Sequence, residues 1–116
     1  MDQRQGFTLV ELLLVVAILG VLAAVFVPAL MGAARQARDR AALGYTHNVY
    51  KAAWAYLSEE SGRALVTGDC TLAYAAGGYR VSAPPGSVQT CSVADRGDGT
   101  PSVTVVSRSG RTFRLP

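Results

Sequence analysis

The stretch Gln5–Gln36, QGFTLVELLLVVAILGVLAAVFVPALMGAARQ, carries a single charge before Arg35, the carboxylate of Glu11. From Leu12 to Ala34 there are 23 consecutive residues without a charge. At a helical rise of ~1.5 Å each, such a run spans the ~30 Å hydrocarbon layer of a bilayer. A secretory signal peptide has a shorter apolar core, of about 7 to 15 residues, closed by small residues at a cleavage site. Here the helical pattern continues past Arg35, so the run reads as part of the working protein rather than as a simple cleaved signal.

Outward from that run, the six residues MDQRQG form a short polar leader ending in a glycine. One long helix is predicted from Phe7 to about Ser61. Gly20, Pro28, Gly32 and Gly44 weaken or bend it without ending it. Pro28 removes the amide that would bond to the carbonyl of Ala24, which marks a softened segment in a dry environment. After Arg35 the pattern turns amphipathic. Tyr45, Val49, Ala52 and Tyr56 share one face, and Leu43, Tyr50, Trp54 and Leu57 share another. Two stripes call for two packing partners, this chain's own sheet and a neighbouring subunit, or else for one sheet wide enough to cover both.

Beyond Gly62 the composition shifts to glycine, proline and β-formers. The runs CTLAY, YRVSA, VQTCSVA, SVTVVS and RTFRL are separated by turn signals at Gly77-Gly78, Pro84-Pro85-Gly86, Gly97-Asp98-Gly99 and Ser109-Gly110. These predict a small antiparallel sheet with one face covered. The fold class is α+β: a long N-terminal helix packed on a small C-terminal antiparallel sheet. The expected segments are a leader (1–6), a transmembrane or core helix (7–34), an amphipathic helix (35–61) and the sheet (62–116), the last two forming a globular head.

Eleven basic residues against eight acids give a net charge of +3, too mild to imply nucleic acid by itself. Cys70 and Cys91 read as one disulfide if the domain is exported, where a small core gains from a closed loop, and as two buried thiols if it faces the cytosol. No catalytic constellation stands out. His47 is the sole histidine and reads as a surface residue, no metal site is supported, and no cofactor is implied. DRGDGT offers two carboxylates, few for calcium, and reads as a hairpin turn.

An unpaired carboxylate in hydrocarbon costs on the order of 2.5 to 3.5 kcal/mol, so Glu11 needs a partner. No Lys or Arg lies within helical reach of it. A cut after Gly6 would give Phe7 a new α-ammonium one turn away, and the first helical turn favours an acid through its dipole. Gly6 followed by Phe7, Thr8, Leu9, Val10 and Glu11, then a long apolar helix with Pro28, resembles the class III signal of type IV pilins and of the related pseudopilins. The resemblance is close over residues 1 to about 35 and follows the remainder in outline.

This resemblance implies that a prepilin peptidase cuts between Gly6 and Phe7 and N-methylates Phe7. It implies that Glu11 meets a neighbour's Phe7 ammonium during assembly, and that Gly20 and Pro28 bracket a segment losing helicity in filaments. The function it implies is structural and non-enzymatic. The subunit is held in the inner membrane by a single pass, then polymerises with copies of itself, through inner-membrane assembly machinery, into an extracellular type IV pilus serving motility, adhesion or DNA uptake. The alternatives are a type II secretion pseudopilin and a non-polymerising single-pass membrane module that binds DNA. Two features depart from the family pattern. Arg35, Arg38 and Arg40 follow the apolar run while the leader holds only Arg4 offset by Asp2, so a positive-inside count favours the opposite orientation. In many pilins the second cysteine lies near the C-terminus, whereas 25 residues follow Cys91 here, room for a further hairpin. Arg80, Arg96, Arg108, Arg111 and Arg114, repeated along a filament, would hold DNA phosphates weakly and with salt dependence. A solvated strand edge defended by charge is the favoured reading of the same residues.

Overall fold

The computed structural model describes Gly6 and residues 8–116. Thr8 starts the long helix by capping it, and α1 runs from Leu9 to Glu59 through Gly20, Pro28, Gly32 and Gly44 without a break. Beyond Glu59, Gly62 with a φ of 89° turns the chain away. Arg63 folds back over this end. Its guanidinium lies 4.7 Å from the centre of the Tyr56 ring and 2.6 Å from the Glu59 carboxylate. The Tyr79 hydroxyl donates to that carboxylate at 2.8 Å, and this bond, followed by the one from Arg63, lowers the Glu59 pKa.

Six strands follow: β1 (Gly68–Asp69), β2 (Tyr74–Ala76), β3 (Tyr79–Val81), β4 (Val88–Asp95), β5 (Pro101–Ser107) and β6 (Thr112–Leu115). They form an antiparallel sheet of order β1-β4-β5-β6 and a separate β2-β3 hairpin, so the single expected sheet is in fact two. The run CTLAY is likewise not one strand. The Asp69 carboxylate accepts the Thr71 amide at 2.7 Å, an Asx-turn that bends the chain after β1 and leaves Leu72 84% exposed before β2 resumes at Tyr74. The hairpin β5–β6 occupies the residues beyond Cys91.

The chain divides into two compact units, Met1–Ala34 and Arg35–Pro116. In the second, Ala42, Tyr45, Thr46, Val49, Ala52 and Ala53 make the buried face of α1. They pack with Val88, Cys91 and Val93 of β4, Val103 and Val105 of β5, and Tyr74 and Ala76 of β2. The first predicted stripe therefore lies in the core. The second is only partly covered: Leu43, Tyr50 and Leu57 are half-buried and Trp54 is 40% exposed.

Candidate processing and assembly site

The N-terminal turn is built from two residues. The Glu11 amide donates to Thr8 Oγ1 at 3.2 Å, and the Thr8 amide donates to Glu11 Oε2 at 3.3 Å. This reciprocal pair is a capping box, which satisfies two amide donors that a helix start otherwise leaves open. The first helical bond, Leu12 amide to Thr8 carbonyl at 3.1 Å, follows directly. Glu11 thus has a protein partner that a search for cations alone misses, although the signal is present in the sequence as Thr-x-x-Glu. Gly6 is exposed at a φ of 101°. Phe7, the expected modified terminus, lies outside the described residues.

From Leu9 to Ala34 every described side chain is exposed, including Leu13, Leu22, Val25, Phe26 and Leu30. The helix is long and apolar enough to cross a membrane. Apolar surface of this extent is unusual for a chain that works alone in water. Gly20 and Pro28 are helical here.

In the head, Cys70 and Cys91 are joined by a disulfide with their Cα atoms 4.8 Å apart. The bridge is reinforced by backbone and hydroxyl contacts. The Cys70 amide donates to the Cys91 carbonyl at 3.1 Å, and the Cys91 amide donates to Thr71 Oγ1 at 3.0 Å. The Tyr45 hydroxyl donates to the Cys70 carbonyl at 2.6 Å, tying α1 to the same point. Burial, with the nearby Asp69 charge, raises the Tyr45 pKa and keeps it a donor.

The five arginines considered for DNA do not share one location. Arg80 is on β3, Arg96 in the β4–β5 turn, and Arg108 at the far end of β5. Arg111 pairs with Asp39 at 3.9 Å, and Arg114 Nε donates to Ser102 Oγ at 3.2 Å. In the DRGDGT turn, Asp95 accepts the amides of Gly97 and Gly99 at 2.8 and 2.9 Å, and Asp98 accepts the Thr100 amide and hydroxyl. Its carboxylates serve the turn itself.

Residues 1–27 match the family described as the prokaryotic N-terminal methylation motif. A type IV wide pilus major component of Thermus thermophilus is 43% identical over 51 residues, covering 44% of this chain and 39% of that protein. A type IV major pilin of Myxococcus xanthus is 31% identical over 116 residues, covering 97% of this chain and 52% of that protein. The chain spans about half the length, or less, of these curated relatives. No solved structure matches it. A capped apolar helix bearing one acid in its first turn and followed by a disulfide-bonded antiparallel head thus coincides with that motif match: the chain carries the prokaryotic N-terminal methylation motif and is similar to type IV pilins.

Proposed function

We propose that this protein is a structural, non-enzymatic pilin subunit that polymerises with copies of itself into a type IV pilus. The observation that carries the reading is the methylation motif over residues 1–27 continuing into an apolar helix that, among the described residues, has no cover from Leu9 to Ala34. Such a surface suits lipid, and equally suits a bundle of identical helices once the subunit leaves the bilayer. In this scheme residues 1–6 are a leader, cut between Gly6 and Phe7 by a prepilin peptidase that methylates Phe7. Residues 7–34 hold the subunit in the inner membrane and then form the filament core, and residues 35–61 with 62–116 form the head. Gly20 and Pro28 bracket the segment that yields as the core forms. The relatives' names favour a pilus over a pseudopilus, since both are pilus components.

The test is mass and N-terminal sequence of the protein in sheared surface filaments. Expected is a chain that starts at a methylated Phe7. A chain still starting at Met1, or processed chain found only in the membrane of filament-bearing cells, overturns the reading.

A further inference from the structure

Within the head, a cavity of about 600 Å³ lies between α1 and two loops of the sheet. Arg35, Arg38 and Asp39 line it from the helix, Ser87 from the loop before β4, and Arg108 and Ser109 from the turn after β5. Among the described residues, none of the three guanidinium groups is paired with a carboxylate. The one carboxylate in the wall is already engaged, since Asp39 accepts the Ser109 hydroxyl at 2.7 Å and faces Arg111 at 3.9 Å. Ser87 is 9% exposed, and its Oγ has no hydrogen-bond partner. That oxygen is shut off from solvent, so the donors the cavity offers are the guanidinium groups.

The walls are held in place before any ligand arrives. The Arg108 amide donates to the Ser87 carbonyl at 2.8 Å, and the Val88 amide donates to the Pro85 carbonyl at 3.0 Å. The Ser109 hydroxyl bridges Asp39 of the helix and Ser107 of β5. A preformed pocket loses little freedom on binding. Guanidinium forks match the oxygens of a phosphate.

We propose that this cavity binds a phosphate group, with the phosphodiester of an anionic lipid headgroup as its source. Arg35 directly follows the uncharged run Leu12–Ala34, so in a bilayer-held chain Arg35 and Arg38 stand at headgroup level. The lipid source rests on the membrane-held stage of the proposed function, whereas the phosphate chemistry does not.

The test uses the full chain in uncharged detergent micelles, titrated separately with inorganic phosphate and with short-chain phosphatidylglycerol, and followed by phosphorus NMR. Saturable phosphatidylglycerol binding is expected. Arg38→Gln and Arg108→Gln each weaken it about tenfold or more, by removing charge-assisted donors. Arg96→Gln, at the other end of the sheet, leaves it unchanged. Circular dichroism confirms that each variant is folded, and Arg35→Gln carries the test if another arginine variant is not. Saturable binding of inorganic phosphate alone supports the phosphate site and overturns the lipid source. Binding of neither probe, or binding indifferent to Arg35, Arg38 and Arg108, overturns the proposal. Retention only of a short oligonucleotide overturns it in favour of a nucleic-acid groove. Because filaments are not measured, failure here is distinct from failure of the pilus reading.

Discussion

The observed capping contact of Glu11 and the assembly role proposed for it make different demands on its charge. As half of the capping box it needs only an acceptor, so Gln can replace it. As the counter-charge that the pilin resemblance implies for a neighbour's Phe7 ammonium it must be ionised, since leaving such an ammonium unpaired in an apolar bundle costs roughly 3 to 5 kcal/mol. Glu11→Gln should therefore preserve the first helical turn while filament assembly fails or slows, and Glu11→Ala should impair both. Glu11→Asp, one methylene shorter, gives an intermediate assembly defect. Leader cleavage is spared in all three, because the cut lies five residues upstream. Amide exchange at Leu9 to Glu11 reads the cap, and the ratio of sheared filament to processed membrane-held subunit reads assembly. Normal filament yield from Glu11→Ala would leave capping as the whole role. At this scale the sequence is legible where a local pattern suffices, as with Thr8-x-x-Glu11. It is silent on the cavity, where only the fold brings Arg38, Ser87 and Arg108 together from distant parts of the chain.

Between elements, the tightest constraint is the turn of the β2–β3 hairpin against α1. Gly77 has a φ of 60°, and a Cβ there would meet two atoms of the Tyr56 ring at 2.8 Å. The ring is itself fixed by the Arg63 guanidinium stacked on it. Gly77→Ala thus combines left-handed strain, roughly 1–2 kcal/mol, with displacement of a packed aromatic side chain. The head should lose about 2–4 kcal/mol in total, seen as a lowered unfolding midpoint by near-ultraviolet circular dichroism. Gly78→Ala is the control, since nothing lies within 4 Å of its added Cβ. Equal effects of the two changes would mean that Tyr56 moves aside freely. The Gly77-Gly78 pair predicts this turn from sequence, and the alternation in SVTVVS predicts β5, because both signals are local. CTLAY misleads because its β-forming residues are overruled by the Asp69 turn and by the Cys91 bridge. The separation of the two sheets is equally hidden, since pairing of β1 with β4 joins residues about 25 apart, as in Gly68 with Val93.

For the whole molecule, what the chain leaves uncovered indicates how it is used. The core of the head takes the Tyr45–Val49–Ala52 stripe, while the Leu43–Tyr50–Trp54–Leu57 stripe is only half-covered, with Trp54 its most exposed member and the Tyr50 and Trp54 rings edge-to-face at 6.2 Å. Sequence periodicity reveals both stripes but not which of them the sheet covers, because that depends on the width of a sheet formed mainly by β4 and β5. Trp54 is the only tryptophan, so the intrinsic fluorescence of the protein reports on this one face. In the micelle-held subunit its emission should lie toward the red, as for an indole in contact with water. If neighbouring heads close over the stripe in a filament, emission shifts to the blue and quenching by iodide falls. Trp54→Ala should then leave the unfolding midpoint of the subunit within about 1 kcal/mol of wild type, since an exposed side chain contributes little to the core. Filaments of the same variant should dissociate at lower temperature or detergent concentration, because a partly exposed aromatic that becomes buried between subunits contributes most where water is excluded. Red emission persisting in intact filaments would place the stripe on the outer surface, and a destabilised Trp54→Ala subunit would mean that the indole belongs to the head's own packing.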